Sequence, residues 1–294
     1  MKPLSQIKLE NIGPIQSADV KLGDLTVLVG PQATGKSIFL QFLKLVLDTS
    51  YIHDQLRRYG IEWSRRPADF LDVYLGEGMR GVWNGNSALW VENERKADQD
   101  WITPRDRSHS PTLFYIPAQR VLSLATGWPA PFQAFASRDP FVIRDFSETF
   151  RQLMEQEFAR ATRLFPKTNR IIDVYRNQIS THIFGGFHLL IDRAGPQKRL
   201  VLRRGPAPAK RKALDLETIG RKQTIRGSDQ AASGAVDVEL RPSIPFMTWS
   251  AGQREFMPLL MGLYWLIPGT KTERRKEFEW VVIEEPEMGL HPKA

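Results

Sequence analysis

Eight consecutive residues, Gly30-Pro31-Gln32-Ala33-Thr34-Gly35-Lys36-Ser37, fit the spacing G-x-x-x-x-G-K-[ST]. A polyphosphate needs several donors at close range. Gly30 and Gly35 let the backbone curl and aim its N–H groups at phosphate oxygens, Lys36 reaches the β- and γ-phosphates, and Ser37 places its hydroxyl on Mg2+. Far along the chain, Trp280-Val281-Val282-Ile283 runs into Glu284-Glu285-Pro286-Glu287. Neighbouring residues at a strand end point to different sides, so two carboxylates can do different work. Glu284 suits Mg2+ as a hard oxygen ligand, directly or through water, and Glu285 suits orienting or deprotonating an attacking water. A third stretch, Ser250-Ala251-Gly252-Gln253-Arg254-Glu255, precedes the apolar Phe256 to Ile267. Ser250 is a natural N-cap and Gln253 completes a capping box. The same helix start, with free N–H groups and a positive dipole end, can also bind a γ-phosphate. Capping alone does not require Gly252.

An ordinary glycine turn, a solvated strand end and a plain helix start are the alternatives for these stretches, and context decides against them for the first two. Leu25-Thr26-Val27-Leu28-Val29 is a short, β-branched apolar run that reads as a buried strand entering the glycine loop. Ser37 to Leu47 has good helix formers and apolar residues on nearly every side, as a helix buried under a sheet has. Upstream, Ile7 to Glu10 and Ile15 to Leu22 alternate around Asn11-Ile12-Gly13-Pro14, a hairpin signature. Tyr51 to Tyr59 can continue the first helix until Arg65-Arg66-Pro67 breaks it. Leu71 to Leu75 and Ala88 to Val91 read as small antiparallel strands, Glu94 to Ser110 as an exposed connection, and Thr112 to Pro117 as a core strand.

The middle has a different character. Asp145 and Glu148 form a capping pair, and Phe146, Phe150, Leu153, Met154, Phe158 and Leu164 fall on one helical face, which reads first as core packing and otherwise as a partner surface. A second helix is expected over Arg170 to Ile183, then a hairpin from Phe187 to Ile191 and Arg199 to Arg203. Gly205 to Ala235 reads as a loop. The basic cluster Lys198, Arg199, Arg203, Arg204, Lys210, Arg211, Lys212, Arg221, Lys222 and Arg226 reads first as a solvated face; a phosphate backbone is the alternative, without the interleaved aromatics that stack single-stranded bases.

With 294 residues, 41% of them hydrophobic and 25% charged, the chain can bury a sizeable core as a soluble globular protein. The absence of cysteine excludes disulfides and thiolate metal sites and agrees with a reducing cytoplasm. Met1-Lys2-Pro3 leads into strand alternation rather than a secretory core, and Phe256 to Ile267 is too short to cross a bilayer. A net charge of +8 leaves room for DNA as a partner.

Taken in order, the hairpin Ile7 to Leu22, Gly30 to Ser37, Tyr115-Ile116-Pro117-Ala118-Gln119-Arg120, Ser250 to Glu255 and Ile283 to Pro292 resemble the ABC-type ATPase heads of the SMC, RecF and OLD-nuclease group, and more closely the related bacterial AAA-labelled ATP-binding proteins. The resemblance implies an α/β P-loop NTPase with an ABC-type head, a mixed sheet with N-terminal antiparallel strands, and a helical insertion. Its parts would be 1–121 and 246–294 as core, 122–185 as the mainly helical insertion, and 186–245 as hairpin and basic loop. Two heads, in a homodimer or with a related head, would sandwich two ATP molecules. Each ATP would lie on Lys36, Ser37, Glu284 and Glu285 of one chain, with Ser250, Gly252 and Gln253 of the other over its γ-phosphate. Gln119 is the candidate Mg2+-sensing glutamine, with Arg120 beside it as the alternative. Departures are Glu284 where Asp is common and Ala251 where Gly or Ser is usual. The sequence stops at Ala294, before the switch histidine such heads carry, and His291 belongs by position to the preceding loop. A shortened chain, or a head completed by another chain, is therefore expected, and nothing resembles the Toprim nuclease of OLD-type proteins. ATP hydrolysis in DNA maintenance or antiphage defence is the leading expectation. The alternatives are an ATP-gated dimerisation module acting on a partner nuclease or effector, and a nucleic-acid clamp. A small-molecule kinase or GTPase would not need Ser250 to Gln253.

Overall fold

The computed structural model describes residues 4–103, 110–157, 179–193, 198–204, 243–266 and 278–288. The N-terminal alternation gives β1 (Gln6–Ile12) and β2 (Ile15–Lys21), paired antiparallel. β3 (Ala88–Val91) joins the other edge of β1 and β4 (Glu94–Arg95) joins β3, in the order β2-β1-β3-β4. β5 (Leu113–Ile116) lies apart from that sheet. β6 (Phe187–Asp192), β7 (Arg199–Arg204) and β8 (Ser243–Pro245) form a separate antiparallel sheet, which contains the expected hairpin. β9 (Trp280–Ile283) runs parallel to β5, with Ile116 opposite Ile283.

One helix joins these layers. α1 (Lys36–Arg58) turns Phe39, Phe42, Leu45, Ile52 and Leu56 onto the β1 core with Ile7, Leu9 and Leu89. Its other face packs Leu43 with Leu113, Tyr115 and Val282 of the parallel pair. Burial between two sheets explains why apolar residues occur on nearly every side of it. At the middle of α1 the fully buried Lys44 ammonium donates to Asp48 Oδ2 and to the Leu113 carbonyl, both at 2.7 Å. Asp48 in turn accepts the Thr112 and Leu113 amides at 2.6 and 3.1 Å, and its backbone leaves helical geometry there. The Tyr51 hydroxyl donates to Asp145 at 2.6 Å, which brings in α4 (Phe141–Glu157). α4 lays Val142 and Ile143 against the parallel pair and Phe146, Phe150, Leu153 and Met154 into the C-terminal core. That core also holds α5 (Ala251–Leu266), which comes so close to β5 that a Cβ on Gly262 would stand 2.8 Å from Ile116 Cδ1.

Several expectations are corrected. Leu25 to Val29 forms no strand and pairs with none among the described residues, and Leu25, Val27 and Val29 are 85%, 70% and 89% exposed. A parallel strand needs an edge and cover on both faces. The parallel pair leaves Val281 and Ile283 themselves partly bare, so burial does not reward the run's β propensity. Leu71 to Leu75 is not a strand: α2 (Pro67–Tyr74) begins with Pro67 in its first turn, where a missing N–H is harmless, and buries Phe70, Leu71 and Tyr74 at helical spacing. Within Glu94 to Ser110, β4 and α3 (Asp98–Ile102) form, and Trp101 and Ile102 are buried rather than exposed. Asp145 and Glu148 do not cap α4, which starts at Phe141; Glu148 accepts the Phe132 amide and pairs with Arg151. Phe158, Leu164, most of Arg170 to Ile183, Gly205 to Ala235 and His291 lie outside the described residues.

Two stability predictions follow. Lys44→Met leaves the buried Asp48 carboxylate without its cation and should cost about 3–5 kcal/mol in denaturant titration; a loss near zero would mean that the pair does not hold the layers. His53 is buried against Trp63 and Phe70, and desolvation lowers its pKa from 6.5 to about 4. The unfolded chain therefore takes up the proton first as pH falls. This contribution is fully present above pH 6.5 and is lost on acidification toward pH 4. The loss should reach about 3 kcal/mol, and it should vanish in His53→Phe.

Candidate functional site

The glycine loop is built by backbone geometry. Ala33 and Gly35 take positive φ of 60° and 93°. A Cβ on Gly35 would stand 2.5 Å from Ile15 Cγ1, so the first hairpin presses directly on the loop. Thr34 Oγ1 donates to the Pro31 carbonyl at 3.0 Å. Lys36 Nζ folds back to the Gly30 and Pro31 carbonyls at 2.7 and 2.5 Å, and Ser37 is exposed. Gly30, Pro31, Gln32 and Ala33 are exposed as well. α1 starts with no side-chain cap and no acidic residue in its first turn. Uncapped amides, a positive dipole end and a lysine favour an anion at this point.

The parallel pair packs against α1. Lys44 and Asp48 meet the start of β5, and Leu43 shares a core with Leu113, Tyr115 and Val282. The carboxyl ends of β5 and β9 lie side by side in the parallel pair, with Ile116 opposite Ile283. At that end the Glu284 amide donates to the Ile116 carbonyl at 3.0 Å, and Glu284 Oε2 accepts the Ala118 amide at 3.0 Å. Glu284 is buried, and its Oε1 has no hydrogen-bond partner among the described residues. Burial and the nearby Glu284 charge push the Tyr115 hydroxyl well above its ordinary pKa. Glu285 is exposed, with φ at 41°. The two carboxylates thus point apart, one inward and one to solvent.

A residue that sequence reasoning placed only beside Gln119 holds this end together. Arg120 is fully buried and donates through Nη1 to the Glu284 carbonyl at 2.9 Å, through Nη2 to the Glu285 carbonyl at 3.1 Å, and through Nε to the Glu255 carbonyl at 3.0 Å. Gln119 sits exposed on the same turn. The capping box at Ser250 is present: the Ser250 amide donates to Gln253 Oε1 at 3.1 Å, and Ser250 Oγ accepts the Gln253 amide at 3.3 Å. Gln253 Nε2 is tied to the Ile183 carbonyl at 3.0 Å, while Ser250 stays exposed and Gly252 half-buried. Trp249, buried against Phe184 and Phe246, anchors the entry to α5, and only its size hinted at this in the sequence. No group of three or more His, Cys, Asp or Glu gathers to hold a metal among the described residues. An unsatisfied buried oxygen on Glu284 nevertheless fits a Mg2+ ion that takes most of its ligands from phosphate and water. No helix among the described residues is long and apolar enough to cross a membrane.

Residues 1–110 match the family model described as AAA ATPase domain. The match holds the glycine loop, α1 and the antiparallel sheet, and ends before β5. No curated protein and no solved structure gives a significant match. The mixed α/β architecture agrees with the matched model, and the similarity supports an AAA-type ATPase that binds and hydrolyses ATP, with Mg2+ as the ion such domains use.

Proposed function

We propose that the chain is an ABC-type head that binds and hydrolyses ATP, closing on a second head around two nucleotides. The observation that carries this reading is the glycine loop at the uncapped start of α1 in a chain whose strand β9 runs into a buried Glu284 with an unpartnered Oε1 among the described residues, followed by an exposed Glu285. The loop Gly30 to Ser37 wraps the polyphosphate, and Lys36 exchanges its own loop carbonyls for phosphate oxygens. Ser37 and Glu284 would hold Mg2+, which would neutralise charge on the phosphates. Glu285 orients water in line with the γ-phosphorus and takes its proton as the bond to the β,γ-bridging oxygen breaks, giving ADP and inorganic phosphate. Ser250 and Gly252 of the second head bring the α5 start over the γ-phosphate. By the resemblance, the setting is DNA maintenance or antiphage defence, with opening and closing of the heads as the output.

Glu285→Gln removes the base and should trap the closed pair. Light scattering is expected to show a monomer alone and a dimer with Mg-ATP, and a monomer that still binds ATP would remove the shared-site part of the proposal. Gly35→Ala places a methyl group on Ile15 at a left-handed position. It should weaken binding of a fluorescent ATP analogue at least about tenfold, a loss of about 1.4 kcal/mol. Unchanged affinity in a folded Gly35→Ala chain would take the nucleotide away from this loop.

A further inference from the structure

We propose that Arg120 is a positioning residue that sets the backbone of Glu285 and links it to the start of α5, an inference that rests on the hydrolytic reading above. The carbonyls of Glu284 and Glu285 belong to consecutive residues, yet both accept from the same guanidinium. In an extended strand successive carbonyls point to opposite sides. Both can converge on one side chain only if the chain turns sharply between them, and it does so through the positive φ of 41° at Glu285. A left-handed conformation is unfavourable for a residue with a long side chain. Here the buried cation holds it, and the same turn sends the Glu285 carboxylate outward while Glu284 stays buried.

The third anchor leads to α5. Pro258 lacks an N–H, so it takes one donor out of the helix ladder at the Arg254 carbonyl. The segment that begins with Ser250 and Gly252 is therefore joined to the rest of α5 by a weakened ladder, and Arg120 Nε fastens it at the Glu255 carbonyl. A displacement of this segment by a nucleotide on a facing head pulls on the same guanidinium that shapes Glu285. Lysine cannot replace it. Its three N–H bonds leave one atom, whereas the guanidinium spreads its donors over a planar fork that reaches separate chain segments.

The experiment compares the unmodified chain, Arg120→Lys, Glu285→Gln and the double variant, in single-turnover ATP hydrolysis and in equilibrium ATP binding. Arg120→Lys is expected to slow turnover about 10- to 100-fold, as small misplacements of a reacting group do, with ATP affinity within about threefold of the original. In the Glu285→Gln background the same change should alter residual turnover less than about twofold, because the group it positions has gone. Equal losses in both backgrounds, or affinity falling in step with turnover, would overturn the proposal.

Hydrogen exchange without nucleotide supplies a readout independent of turnover. In Arg120→Lys, peptides covering 251–257 and 283–288 should lose protection together while β5 keeps its own; unchanged protection at 283–288 overturns the link. If the unmodified chain binds ATP but never hydrolyses it, the hydrolytic reading fails while exchange still decides the link. If Arg120→Lys does not fold, exchange on the unmodified chain takes its place. The two segments must then respond together to a non-hydrolysable ATP analogue, and a response in one alone refutes the coupling.

Discussion

The buried pair of Lys44 and Asp48 is the interaction on which the arrangement depends. An ammonium and a carboxylate removed from water are tolerated only when every remaining donor and acceptor is engaged. Lys44 approaches this condition with the Leu113 carbonyl and an ion pair to Asp145 at 3.6 Å, and Asp48 meets it with two amides at the start of β5. The pair thereby specifies a register between helix and strand, which hydrophobic contact alone does not. Leucines could slide along Tyr115 and Val282 by a turn at little loss, whereas a slipped Lys44 would strand two buried charges. The fixed register ties the middle of α1 to the start of β5.

What was legible in the sequence is what local chemistry dictates. The glycine loop, the first hairpin, the capping box at Ser250 and Gln253, and the strands Leu113–Ile116 and Trp280–Ile283 each carry their signal within a few residues. Leu25 to Val29 carries an equally good strand signal and does not form one, because a strand needs an edge that only distant residues provide. Leu71 to Leu75 misled for the converse reason. Its alternation is real, but Pro67 at a helix start and the spacing of Phe70, Leu71 and Tyr74 outweigh it. Asp145 looked like a cap because it stands three residues before Glu148; its partner is Tyr51, on another helix.

The part of the candidate site that stayed hidden is held by side chains that recognise main chain. Glu284 accepts the amide of Ala118, and Arg120 donates to the carbonyls of Glu255, Glu284 and Glu285. Every residue carries a carbonyl, so such partners leave no mark in composition, spacing or charge pattern. An arginine four residues beyond the end of an apolar strand gives no sign that it is fully buried.

This choice of partners also has an energetic logic. A guanidinium paired directly with Glu284 or Glu285 would neutralise the charge that a metal ion or an attacking water requires. Binding the carbonyls of those residues leaves both carboxylates without a direct guanidinium partner while still fixing where they point. The left-handed turn at Glu285 is a local loss offset by bonds to a planar, fully buried donor set, and the same guanidinium also holds α5 at the Glu255 carbonyl. Strain in one segment is thus maintained by contact with another, so the direction of the exposed carboxylate depends on the position of a helix start more than thirty residues away in sequence.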